Sequence, residues 1–186
     1  MTEVSSLTGR LLVATPSLAD PNFERAVVLL LDHDDEGSLG VVLNRPTPVG
    51  VGDILEPWGG LAGDPGVVFQ GGPVSLDSAL GLAVIPGDEG PLGWRRVHGA
   101  IGLVDLETPP ELLARALGSL RIFAGYAGWG PGQLEGELRE GAWYVVESEP
   151  GDVSSPRPEN LWRAVLRRQR SGLAMVATYP DDASLN

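Results

Sequence analysis

Neither cysteine nor lysine occurs anywhere in this chain. Without cysteine there is no disulfide framework, no thiolate nucleophile and no Cys-based metal site. Without lysine there is no Schiff-base amine and no P-loop lysine to grip a phosphate. Positive charge is scarce as well: 13 arginines stand against 25 acids, a formal net charge of −12. That balance opposes approach to nucleic acid or to an anionic lipid surface. Only two histidines are present, His33 and His98, each isolated and without the H-x-x-x-H or H-E-x-x-H spacing of a zinc site. No apolar run approaches the roughly 20 residues of a membrane-spanning helix, and residues 1–9 lack the layout of a signal peptide. A cytoplasmic protein without a cofactor is expected.

What remains is ordinary globular material. The 186 residues are 42% hydrophobic and 20% charged, which suits one domain over residues 1–186 with loose ends at 1–8 and 180–186. Leu11–Ala14 reads as a buried strand, and Asp20-Pro21 as the start of a single turn. Arg25–Leu31 and Ser38–Asn44 are strand-length apolar runs joined through the polar turn Asp32–Gly37, a hairpin pattern closed by Arg45-Pro46. Val51–Glu56 suggests a short helix. Val67–Gln70, Leu80–Ile85 and Val97–Val104 suggest further strands, with a turn near Ser75 and Asp77 and an exposed loop at Pro86–Gly93. Thr108-Pro109-Pro110-Glu111 has both halves of a capping box, opening a helix that buries Leu112, Leu113, Ala116 and Leu117. Ile122–Ala127 is a strand that passes through Gly128, Gly130 and Gly132 into a helix holding Leu134 and Leu138. Trp143–Glu147 alternates as a strand. A last helix near 158–169 buries Leu161, Trp162, Val165 and Leu166, and Leu173–Tyr179 reads as an edge strand. Most connections are too short for a helical crossover, so antiparallel pairing in an α+β domain follows.

Four blocks in this order resemble the YqgE/AlgH family of bacterial cytoplasmic proteins. They are Leu11–Pro16 with Asp20-Pro21-Asn22-Phe23, then Gly40–Pro46 (GVVLNRP), Phe69–Val74 (FQGGPV) and Gly125–Glu135 (GYAGWGPGQLE). The resemblance implies one compact domain in which a strongly curved, mostly antiparallel sheet closes towards a barrel surrounded by helices. It also implies a transcriptional-regulator label that rests on genetic association, and it brings no catalytic residues.

The candidate ligand-binding residues are Asn44, Arg45, Pro46, Gln70, Gly71, Gly72, Pro73, Tyr126, Gly128, Trp129, Gly130, Gln133 and Glu135. Each segment sets glycine or proline beside hydrogen-bonding side chains at a strand end, where sites tend to sit, and the three segments are expected to meet at one cleft. Arg45 suits a carboxylate or phosphate; its alternative is an ion pair within the fold. The loop Gly128–Gly132 is expected to be a tight turn that docks Trp129 against the helix of Leu112 and Leu117 or over Leu134, with Gly130 held by its backbone conformation. A ligand groove shared with Gln70-Gly71-Gly72 is the alternative. The acidic stretch Asp32–Gly37 is expected to be a solvated hairpin tip, because an EF-hand would need an acid where Leu43 stands. No G-x-S-x-G elbow is present, so a serine hydrolase is not expected, although triad members converge in space and not in sequence. Arg163, Arg167, Arg168 and Arg170 crowd the last helix, yet direct DNA binding is not expected from an acidic chain without lysine. The leading expectation is a non-enzymatic protein that binds a small molecule or a protein partner, without nucleic acid or membrane contact, and affects transcription only indirectly. A hydrolase using Asn44, Arg45, Gln70 and Glu135, and a DNA-binding regulator, are the alternatives.

Overall fold

The apolar runs near the start of the chain are buried on both sides, and the sheet extends outward from them. The structure, a computed structural model, describes residues 6–87, 90–170 and 172–179. Strand β1 (Leu11–Ala14) is fully buried, as are the first five residues of β2 (Val27–Asp34). Alternate strand residues point to opposite faces. Leu11, Val13, Val27 and Leu29 therefore enter one core, and Leu12, Ala14, Val28 and Leu30 enter a second. This double burial is why Arg25–Leu31 lacks the alternation of a half-exposed strand.

Strand β2 turns through Asp35 and Glu36 into β3 (Gly37–Val42). The expected hairpin is present, but the turn is shorter than Asp32–Gly37. Asp32, His33 and Asp34 belong to β2, with only His33 of the three buried. The chain continues through β4 (Pro46–Gly50), α1 (Val51–Ile54), β5 (Val67–Gln70), β6 (Val74–Val84), β7 (Trp94–His98) and β8 (Ile101–Val104). After α2 (Glu111–Ala114) come β9 (Ser119–Trp129), α3 (Gln133–Arg139), β10 (Trp143–Val146), α4 (Pro150–Val153), α5 (Leu161–Arg167) and α6 (Leu173–Val176).

Among the described residues, ten strands form one sheet in the order β10-β1-β2-β3-β9-β6-β8-β7, with β4 on β5 and β5 on β9. Every pairing is antiparallel except β5 with β9. Strand β9 joins the two halves. Its first part pairs with β6, and Ala127–Trp129 pair with β3. Gly125, whose φ of 76° is open to glycine at little cost, lies where the β6 pairing shifts register between Ala124 and Tyr126. The sheet curls strongly into a half-barrel, and the fold is α+β.

Five local expectations are corrected. The turn near Ser75 and Asp77 is part of β6, an exposed stretch with irregular pairing between Val74 and Ala79. Val97–Val104 is two strands, β7 and β8, because Gly99 takes a φ of 56° and reverses the chain. The capping box at Thr108 does not form: Pro110 is the N-cap and makes no side-chain bond. Pro110 disfavours a helical Pro109, so α2 starts late and is a single turn, with Leu113 buried and Leu112 54% exposed. Leu173–Val176 is helical, and Leu173, Val176 and Ala177 share one face against the first core. The arginines of the last helix are partly engaged within the fold. Arg168 grips the buried Asp152 at 2.6 and 2.7 Å, and Arg163 donates to the carbonyls of Ala177 and Tyr179.

Helix α5 buries Leu161, Trp162, Val165 and Leu166 as its spacing requires. Arg121 of β9 is buried at 3% exposure, with its guanidinium 4.4 Å from the Phe69 ring centroid. Its Nη2 donates to the carbonyls of Asp64 and Ser155, and burial lowers its pKa to about 10. Of the loose ends expected at 1–8 and 180–186, all but residues 6–8 lie outside the described residues. Leu7 packs on the second core.

Candidate functional site

The segment 20–25 is folded onto Asn44-Arg45 by side-chain bonds. Asp20 begins a turn, its carboxylate accepting from the Asn22 N–H at 2.8 Å. Arg25 then takes a φ of 57°, uncommon for a residue with a side chain. Asn44 accommodates it: Nδ2 donates to the Arg25 carbonyl at 2.9 Å, and Oδ1 accepts from the Val27 N–H at 3.0 Å. Arg45 Nη2 donates to the Glu24 carbonyl. Arg25 itself stacks over Trp162 at 4.2 Å.

Gly71 and Gly72 bring a second backbone into the same place. The Val42 N–H donates to the Gly71 carbonyl and the Gly71 N–H to the Ala124 carbonyl, both at 2.8 Å, so the pair is wedged between β3 and β9. A Cβ on Gly72 would stand 2.2 Å from the Tyr126 carbonyl carbon and oxygen. One on Gly71 would stand 2.4 Å from the Gly125 oxygen. These glycines are required by neighbouring backbone.

Between the two segments lies a cavity of about 140 Å³ lined by Pro21, Asn22, Arg45, Gln70 and Pro73, with Val42 and Gly72 completing the wall. Arg45, Gln70, Gly72 and Pro73 of the sequence-derived set meet here. Asn44 is occupied in holding segment 20–25, and Pro46 opens β4. Tyr126 is not part of the lining, although its backbone carbonyl lies against Gly72. Asn22 and Pro21 were missed as site residues, although the Asp-Pro-Asn-Phe block that carries them was legible.

The glycine loop lies on the other side of segment 20–25. Trp129, 6% exposed, stacks on Phe23 at 6.3 Å, meets Trp143 edge-on at 6.2 Å and shares a core with Leu134. It does not share the core cluster of Leu113, Leu117 and α2. Glu137 accepts from the indoles of Trp129 and Trp143 at 3.0 and 2.9 Å and from Gln133 at 3.1 Å. The expectation for Gly130 is corrected: it needs no positive φ, and the left-handed position is Gly132 at 75°. Gly128 is exposed, and Glu135 faces His33. Among the described residues no three His, Asp or Glu side chains are grouped to hold a metal ion.

The AlgH-like domain family matches residues 11–174. The chain belongs to that family. A UPF0301 protein of Streptomyces avermitilis is 86% identical to this AlgH-like chain, covering 100% of it and 98% of the relative. A UPF0301 protein of Thermobifida fusca is 52% identical, over 97% of this chain and 96% of its own. Among solved folds, a crystal structure from Corynebacterium diphtheriae superposes with a TM-score of 0.89 at 30% identity, covering 96% of this chain and 95% of that one. The solution structure of AlgH from Pseudomonas aeruginosa superposes at 0.68 with 28% identity and 97% coverage of both. No helix among the described residues is long and apolar enough to cross a membrane.

Proposed function

We propose that this AlgH-like chain binds a small anionic molecule whose carboxylate or phosphate head enters the cavity beside Arg45. The lining carries the proposal: one guanidinium and two side-chain amides, Asn22 and Gln70, with no carboxylate or imidazole among them. The bond to Glu24 fixes the Arg45 guanidinium and leaves its other N–H groups for a ligand. A planar guanidinium pairs with two oxygens of a carboxylate or phosphate at once, which an ammonium does not. In a chain of net charge −12, a cation at a cavity locally reverses the field that repels anions elsewhere.

The absence of a nucleophile or general base from the lining favours binding over hydrolysis at this cavity. Its volume suits the head of a ligand, since pockets that enclose a drug-sized molecule run to about 300–1,000 Å³. An effect on transcription, on this reading, passes through a protein partner that senses the occupied state. Thermal-shift titration against carboxylates and phosphate monoesters tests the proposal. A bound anion raises the melting temperature with concentration, and Arg45→Gln and Gln70→Ala should each abolish that rise. Gln70 is exposed, so its truncation leaves the fold intact. A flat response from wild type to every anion, or an unchanged response in both variants, overturns the proposal.

A further inference from the structure

Ser38, His33 and Glu135 come from three elements and meet at one imidazole. His33 and Ser38 oppose each other across the β2–β3 hairpin, and His33 Nδ1 lies 2.6 Å from the Ser38 hydroxyl. The His33 side chain is 2% exposed, and its Nε2 lies 3.6 Å from a carboxylate oxygen of Glu135 in α3. An ionised carboxylate only accepts, so it favours the tautomer with the proton on Nε2. Nδ1 is then bare, and the Ser38 hydroxyl donates to it. Hydroxyl, imidazole and carboxylate in this order are the parts of an activated serine, here with the hydroxyl on Nδ1.

Ser38 also lines a groove of about 240 Å³ together with Asp32, Asp34, Glu36, Leu39 and Trp129. The geometry points to Ser38 as the nucleophile of an esterase site for cationic esters, separate from the Arg45 cavity. Ser38 Oγ bonds to the ester carbonyl carbon while its proton passes to His33 Nδ1. Glu135, a positioning residue, offsets the charge of the imidazolium. Collapse breaks the carbon–oxygen bond to the alcohol, which leaves with that proton. Water then adds by the same route and releases the acid, restoring the Ser38 hydroxyl. Nothing is oxidised or reduced. The carboxylates of Asp32, Asp34 and Glu36 repel anionic esters and attract a positively charged alcohol or acyl group.

The test treats the purified full chain with an uncharged alkyl fluorophosphonate and maps the adduct by mass spectrometry. One adduct on Ser38, formed with loss of fluoride, is expected, and Ser38→Ala abolishes it. His33→Gln should slow labelling by about 10²–10⁴-fold, the range for loss of a general base. Glu135→Gln, at a partly exposed position that leaves the fold intact, should slow it by about tenfold or more. Glu135→Asp, which keeps the carboxylate, should restore part of that rate, a rescue that a merely structural tie would not require. A choline ester should be cleaved faster than a dicarboxylic half-ester of the same alkyl length. No adduct on Ser38 overturns the proposal, as does labelling at the wild-type rate in folded Glu135→Gln, the outcome if the three residues only tie the hairpin to α3.

Discussion

Asn44 caps the backbone on either side of Ala26: its amide donates to the Arg25 carbonyl at 2.9 Å and its oxygen accepts from the Val27 N–H at 3.0 Å. One side chain thus satisfies the groups that a left-handed Arg25 withdraws from the sheet, and it fixes where segment 20–25 lies. Asn44→Ala removes both of these bonds next to fully buried Ala26 and Val27. The expected cost is about 2–3 kcal/mol, read as a lower urea midpoint at unchanged slope.

Gly72 and Gly130 should respond oppositely to the same substitution. Gly72→Ala drives a methyl into the Tyr126 carbonyl at 2.2 Å and should cost several kcal/mol or prevent folding. At Gly130 the nearest atom to an added Cβ is the Gln133 Oε1 at 3.9 Å, so Gly130→Ala should stay within about 1 kcal/mol of wild type. Comparing the two melting temperatures checks both.

Trp129→Ala removes a buried indole from Phe23, Trp143 and Leu134 and leaves Glu137 with fewer donors. The expected loss is about 3–5 kcal/mol in urea denaturation. Because Phe23 and Asn22 are adjacent, the variant should also weaken any anion response at the Arg45 cavity.

These positions mark what the sequence made legible. The buried strands and α5 were visible because apolar spacing is a property of single segments. Arg45, Gln70 and Pro73 were identified because glycine and proline flag strand ends. Hidden were the long-range pairings. Nothing local to Phe23 indicates Trp129, and the approach of Gly72 to Tyr126 is a contact between distant backbones. His33 and Ser38 are five residues apart, yet a one-residue change in the hairpin turn would have put them on opposite faces. Thr108 misled because a local capping signal was outweighed by two consecutive prolines.

Arg121→Lys keeps the charge but replaces a flat group that stacks on Phe69 and donates to the carbonyls of Asp64 and Ser155. An ammonium does not reproduce that arrangement. A cost of about 1–3 kcal/mol is expected, with faster amide hydrogen exchange confined first to the segments around Asp64 and Ser155.

The changes of partner along β9 bear on how the chain reaches this state. Strands β3, β5 and β6 each rest on residues 119–129, and β1 takes its outer neighbour from residues 143–146. On a ribosome, then, the first hundred residues can form the β2–β3 hairpin but cannot be joined to the other half of the sheet. The apolar faces of β1 and β2 must wait, exposed, for segments still to be synthesised. Pairings of such long sequence separation fold slowly and leave sticky intermediates. This acidic chain should therefore depend on chaperone protection during synthesis more than a helical bundle of equal length.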